Sequence, residues 1–361
     1  MYQSQKNMEN NENVSRHMAR KLRVARRRKP LATLTNLQYE QQQVHRAIEK
    51  YQNVERNKVK VTDSDTELLD MTFDSCYSEE HLESSHSHSG TDEIFSTGQQ
   101  TVASYIYKAD VREYLQDKEA INRPRPDYMS RQVDLTHKMR ATLIDWMVDV
   151  TEEFQMPTEV IHLATNYLDR FLSLMAVNRQ RLQLLGTACL LIASKLEDFQ
   201  TLPSLQQLIY LTDNACTSND VIRMEQLVFR TLKFDVSPTT SMALCKHFLE
   251  STDIHHDQPL LPHIAMYLAD CTLLDGDQFL KYLPSQIASS CICVSRILLR
   301  LEPWTDDLAR MTGYSVDDVS ACANDIIHMY KHLQTSGLQA IKNKYSTARY
   351  GYVGKLKITG Q

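Results

Sequence analysis

The residues that could carry chemistry in this 361-residue chain are spaced in ways that argue against catalysis. Its carboxylate pairs, Glu152-Glu153 and Asp306-Asp307, are adjacent in sequence, so on a helix they point to different faces and cannot work together as acid and base. His81, His86 and His88 lie among serines with no spaced partner ligands, which reads as solvated side chains, not a metal site. Eight cysteines are scattered, mostly inside apolar patterns and without a Cys-x-x-Cys, as expected of buried free thiols in a reducing compartment. There is no Gly-rich phosphate loop and no Gly-x-Ser-x-Gly. Neither a metal nor another cofactor is expected. One charge does stand out: Lys195, at the end of the apolar run Leu182 to Glu197.

That run has almost no polar face, so as a helix it must be surrounded. It is too short and interrupted for a bilayer span of about 20 residues, which leaves a central helix ringed by others. Gly186, Ala188, Ala193 and Ser194 would let neighbouring helices approach closely. A content of 9 glycines and 10 prolines favours long helices over a turn-rich β architecture. The 42% hydrophobic content and net charge of −5 fit two ordinary domains plus a tail. With no membrane-spanning run and a polar N-terminus, neither a membrane protein nor a signal peptide is expected, and the chain reads as intracellular.

Apolar periodicity and punctuation predict a short helix around Val111, Tyr114 and Leu115, then helices at about 139–154, 159–174, 181–197, 204–211 and 219–232. Pro157, Pro203 and Pro238 fall between elements, with Thr158 and Asn219 as N-caps. A second set follows at about 239–250, 261–273, 284–301, 305–312 and 316–332. His162-Leu-Ala-Thr-Asn-Tyr-Leu-Asp169 recurs as His263-Ile-Ala-Met-Tyr-Leu-Ala-Asp270, and the same shift of 101 carries Ala193-Ser194-Lys195 onto Val294-Ser295-Arg296. Agreement at one offset argues for duplicated five-helix domains, each around its own third helix. Arg140 then meets Ser241 and Glu225 meets Ile326, so the second repeat lacks both charges.

Residues 1 to about 98 read as a disordered tail, polar and without apolar periodicity. The basic cluster Lys21, Arg23, Arg26, Arg27, Arg28 and Lys29 reads equally as a nuclear-import signal, a nucleic-acid contact or a solvated segment. An acidic stretch from Asp63 to Glu93 follows, without Lys or Arg. Within the tail, Arg28, Leu31, Leu34 and Asn36 resemble the destruction box, in which an extended peptide offers Arg and Leu to a ubiquitin-ligase adaptor.

Met139-Arg-Ala-Thr-Leu-Ile-Asp-Trp146, Asn166-Tyr-Leu-Asp-Arg-Phe-Leu172, Leu182-Gln-Leu-Leu-Gly-Thr-Ala188 and Ala193-Ser-Lys-Leu-Glu197 resemble the cyclin box. Lys281-Tyr-Leu-Pro-Ser285 and the closing Lys344-Tyr345 through Tyr350 are similar to A-type cyclins, with B-type as near neighbour. The resemblance covers roughly Tyr105 to Tyr350. It implies an all-α fold: a disordered tail (1–98), an N-terminal helix with the first cyclin box (99–237), a second cyclin fold (238–345) and a C-terminal tail (346–361).

The function implied is a non-catalytic activator of a cyclin-dependent kinase. Lys195 and Glu225 would hydrogen-bond the kinase backbone, with Ile192, Leu196, Phe229, Phe234 and Val236 as apolar contacts and Val111 and Tyr114 from the N-terminal helix. By pattern alone the charges read first as ordinary solvated residues, and the apolar ones also read as core. Arg140 and Asp169 would form a buried ion pair. Met139, Trp146, Arg179, Leu182 and Gln183 would form a groove for Arg-x-Leu peptides of substrates or inhibitors, although Trp146 and Leu182 also read as core. Thr142 stands where an isoleucine is usual and Asp149 where a glutamate is, which counts against tight peptide binding; Leu196 and Phe229 replace an aromatic and a leucine. The expected partners are a kinase catalytic subunit, Arg-x-Leu proteins and a ligase adaptor, with no direct nucleic acid and no membrane; the expected location is nuclear with a cytoplasmic pool. The rival reading is a cyclin-fold scaffold or transcription-factor-like module. That rival calls for a zinc ribbon or a strongly basic second repeat, and neither is present.

Overall fold

The computed structural model describes residues 110–198, 202–251, 258–333 and 335–356, and no strand occurs among them. The chain enters through α1 (110–121) and a 3-10 turn at Tyr128–Arg131. The first repeat follows as α2 (His137–Glu153), α3 (Thr158–Leu174), α4 (Arg179–Glu197), α5 (Leu205–Leu211) and α6 (Ser218–Thr231). The second is α7 (Ser241–Ser251), α8 (Leu261–Thr272), the short α9 (Gly276–Phe279), α10 (Pro284–Leu298), α11 (Asp306–Thr312) and α12 (Val316–Leu333), closed by α13 (Ala340–Tyr345). No helix among the described residues is long and apolar enough to cross a membrane.

Each repeat is built around its third long helix. α4 packs against α2, α3 and α6, and α10 packs against α7, α8 and α12, so the helices related by the offset of 101 in sequence pack in the same pairs. At Gly186 α4 lies close against α2: a Cβ there would lie 2.9 Å from Leu143 Cδ1. Burial is complete along most of α4 because every face has a neighbour. The seven described cysteines are free and six of them are buried; burial pushes the Cys245 and Cys322 thiols up to about 12, away from nucleophilic thiolate chemistry.

Several local expectations are corrected. α3 starts after Pro157, which takes the N-cap position without a side-chain bond, so Thr158 is the first helical residue and caps nothing. Thr217, not Asn219, caps α6: its hydroxyl accepts from Asp220 N while the Asp220 carboxylate accepts from Thr217 N, a capping box. The helix expected to reach 301 ends at Leu298, where Arg300 turns left-handed at φ 58°. The segment from 346 is no free tail as far as 356. Two 3-10 turns fold it back so that Tyr350 and Val353 are buried. α9 and α13 are too short to carry a period and have no precedent in the sequence reading.

The repeats are joined by charged groups. Arg140 on α2 grips Asp169 on α3 through two hydrogen bonds, Nε to Oδ1 at 2.7 Å and Nη2 to Oδ2 at 2.6 Å. Tyr128 donates to the same carboxylate at 2.7 Å. Nη1 of Arg140 reaches the Leu273 carbonyl of the second repeat at 2.7 Å. Asp270 on α8, fully buried, accepts from His162 Nε2 and from Lys344 Nζ, both at 2.9 Å. Burial alone would raise the Asp270 pKa, but Lys344 and His162 outweigh it and hold the carboxyl below its ordinary range. Burial would lower Lys344, and Asp270 and Glu152 overcome it to raise the ammonium.

Removing one partner of the Arg140–Asp169 pair leaves a buried charge uncompensated, so Arg140→Leu should lose about 3–5 kcal/mol of unfolding free energy in a denaturant titration. Gly276 sits under the same guanidinium, and a Cβ there would lie 2.7 Å from Arg140 Cζ. Because that group is clamped, Gly276→Ala should cost about 1–3 kcal/mol by overpacking. Asp270 has a depressed folded pKa, so its contribution is complete above its ordinary value of 3.8 and fades as pH falls through the lower folded value. Lys344, raised above 10.5, contributes fully below that pH and loses its share as pH rises through the folded value. Thermal melts across pH should show Asp270→Asn well below wild type at neutral pH, with the gap narrowing below pH 3.8.

Candidate partner-binding face

Lys195 lies in the last turn of α4, and Glu225 on α6, which packs alongside. Lys195 Nζ and Glu225 Oε1 are 2.7 Å apart; the lysine side chain keeps 42% of its exposure and the glutamate 11%. The buried Glu225 carboxylate therefore holds the more exposed lysine in place, while the ammonium keeps donors for solvent or a partner.

Several apolar side chains on α1, at the end of α4 and just past α6 are left uncovered. Leu196 is exposed beside Lys195, and Phe234 is 69% exposed just beyond α6. Phe234 is presented by a left-handed turn: Lys233 and Phe234 have φ of 56° and 59°, and Phe234 N donates to Phe229 O at 2.9 Å. A bulky residue in that conformation is strained, and such strain concentrates at functional positions. Its ring stacks on half-buried Phe229, centroids 5.6 Å apart at 20°. Val236 is half-buried. On α1, Tyr114 is 60% exposed and Val111 half-buried. Sequence reasoning missed Ile222, exposed one turn before Glu225 on the same stripe of α6; the signal was an apolar residue on the polar side of an amphipathic helix.

Two expected contact residues are not at the surface. Ile192 and Leu182 are both 0% exposed, because they lie on the faces of α4 that its neighbouring helices cover. On α2, Met139, Thr142, Trp146 and Asp149 recur at helical spacing and are all half-exposed, as are Arg179 and Gln183 on α4. The α2–α4 contact thus carries a partly open stripe on each helix. Thr142 Oγ1 donates to the Lys138 carbonyl at 2.9 Å, so its hydroxyl is turned back onto its own helix. Arg28, Leu31, Leu34 and Asn36, with the rest of the expected tail, lie outside the described residues.

The second repeat uses its equivalent positions differently. Arg296, at the place of Lys195, is buried and donates from Nε to the Glu302 carbonyl at 2.6 Å. Ile326, at the place of Glu225, is core. Among the described residues no group of His, Cys, Asp and Glu is arranged to hold a metal.

Residues 110–237 match the cyclin N-terminal domain and residues 239–358 the cyclin C-terminal domain. The chain is 39% identical over 250 residues to a G2/mitotic-specific cyclin-A of Hydra viridissima, covering 69% of this chain and 59% of the relative. It is 39% identical over 254 residues to cyclin-A2 of Homo sapiens, covering 69% of this chain and 57% of that one. It therefore spans just under three fifths of the length of these relatives. Among solved structures, a viral cyclin from herpesvirus saimiri superposes with a TM-score of 0.53 at 21% identity, over 61% of this chain and 97% of that one, a likeness of fold. With both domains matched in tandem over the helices just described, the chain belongs to the cyclin family, among its A-type members.

Proposed function

We propose that this protein is the non-catalytic regulatory subunit of a cyclin-dependent serine/threonine kinase and controls cell-cycle progression by activating it. The observation that carries the reading is the partly exposed Lys195–Glu225 pair, with Leu196 uncovered next to Lys195, Phe234 uncovered just past α6 and Tyr114 uncovered on α1. Uncovered apolar side chains together with an oriented charge pair suit a helix-sized partner that ends in backbone groups to be hydrogen-bonded. The chemistry belongs to the partner, where a Lys–Glu ion pair and a metal-binding Asp must both be in place. Binding only the conformation that has them shifts the kinase population toward activity.

The half-exposed stripes of α2 and α4, with Met139, Trp146, Arg179 and Gln183, are the second element of the reading: a groove for Arg-x-Leu segments of substrates or inhibitors. The destruction-box-like Arg28 to Asn36 and the basic cluster before it would serve ubiquitin-dependent turnover and nuclear residence, with a cytoplasmic pool.

A histone-peptide phosphorylation assay with a panel of purified cyclin-dependent kinases tests the main claim. Wild-type protein should activate at least one kinase strongly. Lys195→Ala with Glu225→Ala, folded by circular dichroism, should weaken the complex roughly 10- to 150-fold, as expected for losing charged interfacial hydrogen bonds. Neither activation nor binding across the panel would overturn the reading in favour of a scaffold. Trp146→Ala should lower phosphorylation of Arg-x-Leu substrates relative to peptides without the motif, seen as a rise in KM for the former alone.

A further inference from the structure

The candidate face is divided between two bodies. Lys195, Leu196, Glu225, Phe229 and Phe234 belong to the first repeat, but α1, which carries Val111 and Tyr114, is moored to the second. Arg112 Nη1 donates to the carbonyls of Arg310 and Met311 at 3.1 and 3.2 Å, and Gln116 Nε2 to that of Thr312 at 3.1 Å. The buried Glu119 carboxylate accepts from both Ser285 N and Ser285 Oγ at 2.7 Å, at the N-terminus of α10. Leu115 packs on the second repeat's own cluster, which contains Phe248 and Ile292. Just past the end of α1 the chain also reaches the first repeat, where Asn122 Nδ2 donates to Asp235 Oδ1 at 2.9 Å. The placement of Tyr114 relative to Phe234 therefore follows the orientation of one repeat against the other.

Two buried charged clusters bear on that orientation: Arg140 reaches the Leu273 carbonyl of the second repeat, and a second cluster lies around Asp270. His162 of α3 and Lys344 of α13 meet on opposite oxygens of Asp270. Lys344 also faces Glu152 of α2 at 3.8 Å, and α13 begins with Ala340 N donating to Asp145 Oδ1 of α2 at 2.8 Å. The closing helix is thus tied to both repeats. Apolar contact alone tolerates sliding, whereas charged hydrogen bonds in a water-free site have a narrow permitted geometry. Nothing in the binding face itself calls for an aspartate, a histidine and a lysine at this depth.

We infer that His162, Asp270 and Lys344 form a latch that fixes the repeats in the one orientation in which α1 and the α4–α6 surface present a single continuous face to the kinase. They are positioning residues that touch no partner. The inference rests on the kinase-binding reading, but its first test needs no kinase.

Spin labels carried by unnatural residues at Asp117 on α1 and Arg230 on α6, both exposed, report the distance between the two halves. His162→Gln should broaden or shift that distance distribution; an unchanged distribution in a folded variant overturns the latch. Binding to a cyclin-dependent kinase that wild type activates supplies the second arm. In wild type, Tyr114→Ala and Phe234→Ala should each weaken binding about tenfold. In the His162→Gln background Tyr114→Ala should cost less than about twofold while Phe234→Ala keeps its full effect, a non-additivity that general destabilisation does not produce. Equal losses in both backgrounds overturn the proposal. Lys344→Gln, which keeps a donor toward Asp270, replaces His162→Gln if the latter does not fold. A changed label distance with no kinase bound by wild type would sink the functional reading and leave the latch standing.

Discussion

Four parts of the molecule meet at one guanidinium. Arg140 holds Asp169 of α3, Tyr128 bonds the same carboxylate from the entry segment, and the remaining arm of the arginine ends on Leu273 of the second repeat with Gly276 beneath it. Both charges are out of water, where an unpaired ion costs several kcal/mol and a paired one tolerates little displacement. Arginine suits the position because its planar fork satisfies two carboxylate oxygens and a carbonyl at once, which an ammonium cannot do. The apolar cores supply most of the driving force for folding, but non-directional burial would not by itself choose one relative placement of two similar bundles.

Duplication has been followed by a division of labour at equivalent positions. In the first repeat the lysine closing the central helix stays partly in solvent and pairs with Glu225; in the second, Arg296 is turned inward onto a loop carbonyl and Ile326 fills the place of the glutamate. The two aspartates of the repeated motif are both buried, yet Asp169 serves its own repeat and Asp270 joins both repeats to the closing helix. One repeat therefore keeps a partly exposed charged pair, while the other uses Asp270 to hold α13 and its neighbour and offers carbonyls and Ser285 to the polar groups of α1. The like architecture of the two halves does not make their surfaces alike.

The sequence by itself determined the long helices, their pairing at one offset, and the positions of Arg140, Asp169, Lys195 and Glu225. These features are written in local periodicity, which follows from which side of a helix is wet, and in motifs long enough to be specific. The resemblance to the cyclin box also picked out Met139, Trp146, Arg179 and Gln183, which the structure leaves half-exposed. Tertiary structure decided the rest. Ile192 and Leu182, which the sequence leaves open between contact and core, are enclosed, since exposure depends on how many neighbours a helix acquires and not on its own pattern. Phe234 is displayed by a left-handed turn that no propensity at Lys233 or Phe234 announces. α9 and α13 are too short to show a period, and the bonds of Glu119, His162 and Lys344 join residues 74 to 166 positions apart. Such bonds form only when two finished bundles are brought together, so nothing local in the chain can record them.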